Sequence, residues 1–252
     1  MTGSSAKRFG LGLLGLVLFV GLWEAVPRLG LADPNFLPPP SRLPAAFMRE
    51  ANGGFWLPLV VLSLGHYALG LLCGIGLGVA LGVATGVWRG LEWTLAGVVR
   101  TLRPIPNLAW IPFAILWFGI EQKAAVFIIA IGVFWIVFFA AQGAIRGVDR
   151  DLVEVADAFG FTSAGEKLVK VLFPAALPGI LVGARTALGQ GWMAVVAAEL
   201  FGVSGLGQRM SQASSQLETA TAVVYMLTMA ALYGVVDTMF VAAQSRALRW
   251  KA

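Results

Sequence analysis

Residues 124–144 read AAVFIIAIGVFWIVFFAAQGA, a stretch without a single charged side chain. A helix that crosses the hydrocarbon core of a bilayer needs about 20 consecutive, mostly apolar residues. The stretch therefore predicts a transmembrane helix. Composition agrees, because hydrophobic residues make up 58% of the 252-residue chain and charged residues 12%, about half the charged share of soluble domains. One soluble core could not enclose so much apolar surface, so lipid must solvate much of it.

Five further apolar runs lie on either side of this stretch. They cover residues 9–26, 57–87, 91–120, 175–201 and 220–243. The sequence therefore predicts an all-α integral membrane protein with about six transmembrane helices.

The basic residues predict the orientation. If the N-terminus is inside, the cytoplasmic segments hold Lys7, Arg8, Arg89, Arg146, Arg150, Lys167, Lys170, Arg246, Arg249 and Lys251. The outside segments hold Arg28, Arg42, Arg49, Lys123 and Arg209. Cytoplasmic loops of membrane proteins carry the excess of Lys and Arg, so both termini are expected in the cytoplasm. The same rule explains the net charge of +5 without a nucleic-acid partner.

The first run has an alternative interpretation as a cleaved signal peptide. Gly30-Leu31-Ala32 offers small residues for cleavage. Trp23 suits an interfacial anchor and favours retention of this segment as a helix.

Glycines recur at every fourth position through the second run. At about 3.6 residues per turn this repeat clears side chains from one seam of a helix, and two helices can then approach closely. The seam predicted for helix packing consists of Gly70, Gly74, Gly78, Gly82 and Gly86.

The third run contains Pro104, Pro106 and Pro112. Each proline removes an amide donor and bends a helix. Irregular backbone at membrane depth is tolerated only against protein or a water-filled cavity. Arg103 and Asn107 lie in the same stretch, which favours a translocation pathway over a simple kink.

The connection between the fourth and fifth spans is long and charged. Within it, residues 151–160 predict a short helix that ends at Gly160. Leu152, Val155 and Phe159 would form an apolar ridge, and a helix of that kind can seat in a groove on another protein. An ordinary solvated loop is the alternative on physical grounds.

This connection resembles the EAA signature of binding-protein-dependent ABC permeases. The matching residues are Glu154-Val155-Ala156, Gly160 and the run FPAALPGI at 173–180, with Val155 in place of the first alanine. Further similarities follow in order, at 36–41, 103–110, 117–120, 197–200 and 205–207. They resemble the subfamily that imports taurine, aliphatic sulfonates, nitrate or bicarbonate, except that His66 stands where an arginine is expected.

The resemblance implies an ABC type I importer transmembrane fold in a bacterial inner membrane. It implies three partners: a second copy of the chain, two cytoplasmic ATPase subunits, and a periplasmic or lipid-anchored substrate-binding protein. It also implies three regions: an N-terminal transmembrane helix at 1–30, a periplasmic loop with a short helix at 31–56, and a five-helix permease core at 57–252 with a cytoplasmic coupling loop at 145–174. The residues expected to contact the ATPase are Glu154, Val155, Ala156, Asp157, Ala158, Phe159 and Gly160.

No cofactor is expected in this chain. The sequence lacks a glycine-rich phosphate loop that ends in Lys-Ser/Thr. ATP and magnesium would therefore belong to the partner ATPase, and this chain would not be an enzyme. His66 is the only histidine and cannot build a metal site alone.

Polar residues within the spans are candidates for the pathway, because ionisable groups inside a bilayer usually face a cavity or a partner. The candidates are His66, Arg103, Asn107, Trp110, Gln190 and Glu199. Of these, Arg103, Asn107 and Gln190 are expected nearer the pathway, and Glu199, together with Arg185, is expected to be partly structural.

Both Glu199 and His66 have a structural alternative. The carboxylate of Glu199 could be hydrogen-bonded by a neighbouring helix or a backbone amide, and His66 could be a packing residue. A small anion such as a sulfonate, taurine or nitrate would fit the basic residues Arg103 and Arg185.

Two other classes of function stay open. A secondary active transporter is one, although no inverted repeat of broken helices is visible. A membrane-embedded enzyme is the other, because Ser63 and His66 could touch on one helix. We expect no third group to orient that pair, which disfavours an enzyme.

Overall fold

The computed structural model describes residues 2–161 and 163–251, and every regular element within them is helical. The α-helices, in chain order, are α1 (Thr2–Arg28), α2 (Leu43–Asn52), α3 (Trp56–Val87), α4 (Arg89–Leu102), α5 (Ile111–Phe118), α6 (Gln122–Arg146), α7 (Arg150–Ala158), α8 (Ala164–Lys167), α9 (Phe173–Leu200), α10 (Leu206–Ser215) and α11 (Thr219–Ala247). Short 3₁₀ turns cover Pro40–Arg42, Asn107–Trp110 and Arg249–Lys251, and a π-helical turn covers Leu168–Leu172.

Among the described residues, five helical segments are long and apolar enough to cross a membrane. They are Gly10–Arg28, Trp56–Val87, Gln122–Arg146, Ala164–Leu200 and Thr219–Ala247. Their ends lie within a few residues of the predicted runs, except that the fourth segment begins at Ala164 because α8 and the π-helical turn precede α9. The prediction of an all-helical, multi-pass membrane protein is confirmed.

The third predicted span, at 91–120, is interrupted as its prolines indicate, and it is not one of the long apolar segments. The chain forms α4, a turn, the 3₁₀ segment Asn107–Trp110 and then the eight-residue α5. Pro104 and Pro106 cause the break, since a proline donates no amide and holds the preceding residue away from helical geometry. Pro106 itself adopts an extended backbone with ψ of 140°.

Helix α6 lies at the centre of the molecule, between α3 and α9. The glycine seam of α3 faces it directly. An added Cβ at Gly74 would lie 2.7 Å from the carbonyl oxygen of Ala130, and one at Gly78 would lie 2.9 Å from Cβ of Val137. Bare backbone at these positions therefore allows the close approach of α3 and α6. Along the seam, Gly70 meets Ile129, Gly74 meets Val133, Gly78 meets Val137, Gly82 meets Ala141 and Gly86 meets Ile145.

Helix α1 stands apart from this core. Its apolar side chains Leu11, Leu14, Leu18 and Leu22 are more than half exposed, as expected of a helix that faces lipid. Only its last turns are tied to the following chain, where the amide and hydroxyl of Ser41 donate hydrogen bonds to the carboxylate of Glu24 at 3.0 and 2.8 Å.

Candidate coupling and pathway sites

Helix α7 is a short amphipathic helix with defined ends. At its start, the side chain of Asp149 accepts a hydrogen bond from the amide of Asp151 at 3.1 Å, and such caps stabilise a helix N-terminus by about 1 kcal/mol. At its end, Gly160 has φ of +87°. The amides of Gly160 and Phe161 donate to the carbonyls of Asp157 and Ala156, both at 3.0 Å. This pattern is a Schellman motif, in which glycine is the favoured residue.

One face of α7 is anchored and the other is open. Ala156 is its buried residue, and Lys167 forms an ion pair with Asp157. Leu152, Val155 and Phe159 are 48%, 52% and 79% exposed. We call these three residues the α7 ridge. Contiguous exposed apolar side chains on a charged, connecting segment indicate a surface for a partner protein.

The remaining predicted coupling residues lie around the same helix. Glu154, Asp157 and Ala158 are exposed, and a Cβ added to Gly160 would meet nothing within 4 Å. The side of the helix that carries the ridge is therefore sterically free in the isolated chain.

Three predicted pathway residues follow α4, where the helix breaks. The guanidinium of Arg103 lies 4.3 Å from the ring centroid of Phe139 on α6. Asn107 sits over Gly132, where a Cβ would lie 2.6 Å from its Nδ2. Trp110 packs edge-on against Phe127. Among the described residues, Asn107 Oδ1 and Trp110 Nε1 are enclosed without a hydrogen-bond partner.

Arg185 and Gln190, near the middle of α9, have separate environments. Arg185 donates two hydrogen bonds to Asp237 of α11, at 3.1 and 3.0 Å. This pairing weakens the expectation that Arg185 would meet a substrate anion, because its charge is already compensated. Gln190 is half-buried one turn further along α9.

Glu199 and His66 lie together in the interior. Nδ1 of His66 is 3.2 Å from Oε1 of Glu199, and their side chains are 1% and 0% exposed. The amide of Gly207 donates to Oε2 of Glu199 at 2.9 Å. A Cβ at Gly205 would overlap the Glu199 carboxyl group, so glycine is required there. The contacts match the alternative in which Glu199 is satisfied by a neighbouring helix and a backbone amide, and its role in the pathway stays a prediction.

The expectation that no third group accompanies Ser63 and His66 is wrong, since Glu199 contacts His66. A catalytic arrangement is nevertheless disfavoured. Ser63 is 1% exposed, and its Oγ accepts a hydrogen bond from the amide of Leu206 at 3.0 Å. Together, Ser63, His66 and Glu199 hold the N-terminus of α10 against α3 and α9. We call this group the α10 clamp.

A second polar network was not foreseen from the sequence. Arg209 of α10 donates to both carboxylate oxygens of Glu50 on α2, at 3.1 and 2.6 Å. Tyr225 of α11 donates its hydroxyl to Glu50 at 2.7 Å. The Arg209 hydrogen bonds hold the pKa of Glu50 below its usual range and raise the pKa of Arg209. In the sequence, the signal for this network is that Glu50 stands among apolar residues in the segment between the first two spans.

The protein combines long apolar helices, a broken third span and an exposed α7 between α6 and α9. These features are those of a membrane-embedded transporter subunit. Residues 70–249 match the family described as "Binding-protein-dependent transport system inner membrane component". The chain belongs to this family of ABC permeases. It is thus a multi-pass permease subunit rather than an enzyme, and ATP hydrolysis belongs to a partner ATPase.

Named relatives and a solved structure agree with this assignment. The chain is 33% identical to the "Putative aliphatic sulfonates transport permease protein SsuC" of Bacillus subtilis (strain 168), over 97% of this chain and 90% of that protein. It is 30% identical to the "Taurine transport system permease protein TauC" of Escherichia coli (strain K12), over 95% of this chain and 88% of that protein. The fold resembles a chain of the inward-facing MetNI methionine ABC transporter with a TM-score of 0.58 and 25% identity, over 77% of this chain and 93% of that chain.

Proposed function

We propose that two copies of this chain form the translocation pathway of an ATP-driven importer for a small anion such as a sulfonate, taurine or nitrate. Two cytoplasmic ATPase subunits would bind the α7 ridge, and a periplasmic or lipid-anchored binding protein would deliver the substrate. ATP and magnesium would be bound by the ATPase. The family, and the sulfonate and taurine permeases among its relatives, support this proposal.

The observation that carries the proposal is the exposed α7 ridge. It is joined to α6 on one side and to α8 and α9 on the other, so a movement of α7 would be transmitted to two long helices. Packed helices shift as rigid units, which is how a docked partner can bias a two-state pathway. In the proposed orientation both termini and α7 face the cytoplasm.

The alternative of a secondary active transporter does not agree with the family assignment, because the permeases of this family work with a partner ATPase. It would also leave the exposed α7 ridge without a partner.

The proposal is tested by purification together with the cognate ATPase subunit. We expect the ATPase to co-purify with the wild-type chain and with an Asp151→Asn control at the start of α7. Glu154→Lys should reduce co-purification while the membrane-embedded part still folds. We also expect no ATP hydrolysis by the isolated chain. ATP hydrolysis by the isolated chain would refute the proposal. So would recovery of equal amounts of ATPase with the wild-type, Asp151→Asn and Glu154→Lys chains.

A further inference from the structure

A cleft of about 280 Å³ opens where α4 runs past the end of α3 and the second half of α6. Its lining includes Thr85, Arg100, Arg103, Phe138, Phe139 and Gln142. We call it the α4 cleft. Pockets for drug-sized ligands measure about 300–1,000 Å³, so a cleft of this size suits a smaller solute.

Two arginines give the cleft its charge. Arg100 lies in the last turn of α4 and Arg103 directly follows that helix, and a spacing of three places them on the same side. Within residues 2–161 and 163–251, neither forms an ion pair with a carboxylate, whereas Arg185 and Arg209 both do. The guanidinium carbon of Arg103 lies 4.3 Å from the ring centroid of Phe139, a cation–π contact.

The one acidic residue of the lining does not cancel this charge. The carboxylate of Glu92 is 2.5 Å from Nη2 of Arg146, a residue outside the lining. Arg146 also donates to the carbonyl oxygen of Thr85 at 3.1 Å, and Gln142 donates to the Thr85 hydroxyl at 3.1 Å. These polar groups of the cleft walls therefore have partners within the protein, whereas the positive charges of Arg100 and Arg103 are left for a ligand.

We infer that the α4 cleft binds a small organic anion, with its sulfonate or other oxyanion group on Arg100 and Arg103. A guanidinium presents several donors in a fixed fork that matches paired oxygens. The apolar body of the anion would lie against Phe138 and Phe139. This inference deepens the proposed function and rests on it for the role of the cleft in transport. A phospholipid phosphate offers the same chemistry, so the experiment separates the two sources.

Binding is measured with trifluoromethanesulfonate, whose ¹⁹F line broadens when it exchanges with a large particle. The full-length chain is placed in nanodiscs of uncharged phosphatidylcholine. We expect wild-type protein to broaden the line and excess ethanesulfonate to reverse the broadening. The double variant Arg100→Gln/Arg103→Gln should bind roughly a hundredfold more weakly, because each of the two lost charge-assisted hydrogen bonds is worth about a factor of ten. The matched control is Arg89→Gln, which removes the same charge from the exposed start of α4.

Equal broadening by wild-type and double-variant protein would overturn the inference. If the double variant fails to fold, Arg100→Gln alone takes its place and should show a reduced effect. A second series uses nanodiscs with phosphatidylglycerol. Loss of triflate binding there, with phosphatidylglycerol retained by wild-type but not by variant protein in native mass spectrometry, would assign the cleft to lipid and contradict us. The assay contains neither ATP nor ATPase, so failed coupling and a failed cleft are distinguished.

Discussion

Glu199 of α9 and His66 of α3 meet in the interior of the protein, with Oε1 and Nδ1 3.2 Å apart and both side chains enclosed. The same carboxylate accepts the amide of Gly207 at the start of α10. One side chain therefore connects α9 to α10, which follows it in the chain, and to α3, which is distant in sequence. A buried polar group that loses its partner costs about 1–3 kcal/mol.

The α10 clamp gives the first prediction. Glu199→Ala leaves the His66 ring nitrogen and the Gly207 amide without their hydrogen-bond partner, so we expect the free energy of unfolding to fall by about 1–3 kcal/mol. Glu199→Gln retains a side-chain oxygen and should lose less. Thermal unfolding in detergent, followed for wild-type and both variants, measures the difference. Equal stability of Glu199→Ala and the wild-type protein would show that the clamp contributes nothing to folding.

The glycine seam gives the second prediction. Gly78→Leu places a branched side chain where a Cβ alone would lie 2.9 Å from Val137. Overpacking of this kind typically costs about 1–3 kcal/mol, so we expect a lower melting temperature and a lower yield of monodisperse protein. Gly76→Leu is the control, because a Cβ there meets nothing within 4 Å. Identical melting of both variants would disprove the importance of the seam.

The network between α2, α10 and α11 gives a prediction about pH. The pKa of Glu50 is lowered in the folded protein by its hydrogen bonds from Arg209. The resulting stabilisation is complete above the ordinary glutamate pKa of about 4.3 and is lost as the pH falls through the lower folded-state value. We expect melting temperatures measured from pH 7 downward to fall more steeply for wild-type protein than for Glu50→Gln. Glu121→Gln, an exposed site, should follow the wild-type curve; parallel curves for wild-type and Glu50→Gln would contradict the account.

The end of α7 gives the fourth prediction. Gly160→Trp forces a bulky residue into a left-handed backbone at φ of +87° and extends a ring toward the proposed ATPase surface. We expect normal insertion in the membrane but little ligand-stimulated ATP hydrolysis by the assembled complex. Gly160→Asn tolerates the left-handed conformation and should keep most of that activity. Full stimulation of the Gly160→Trp complex would show that α7 is an ordinary linker.

Much of the fold follows from the sequence because bilayer thickness sets the length of an apolar helix. The glycine seam of α3 can also be predicted, because glycines at every fourth position fall along one side of a helix. The break in the third span is predicted by Pro104, Pro106 and Pro112, whereas its division into α4, a 3₁₀ turn and the short α5 is not visible in average hydropathy. Contacts such as His66 with Glu199 join residues 133 positions apart, and no local pattern reports which distant helix will supply a partner.

The α4 cleft shows the same division between local and distant information. Arg103 is predicted to lie nearer the pathway and Arg185 to be partly structural, but both are basic residues at membrane depth. Only the folded chain reveals that Asp237 compensates Arg185 while Arg100 and Arg103 share one cleft. Charge alone did not distinguish the two arginines, because their partners come from other helices.

The central claim is that this chain transports its substrate at the expense of ATP hydrolysed by a partner. Uptake into proteoliposomes tests it most directly, with this chain, its ATPase and its binding protein reconstituted together. The substrate is the labelled sulfonate that the binding protein retains best. We predict that uptake continues with ATP after ionophores collapse all ion gradients, and that Phe159→Asp on the α7 ridge abolishes it. Uptake that follows an ion gradient in the absence of ATP would contradict the account.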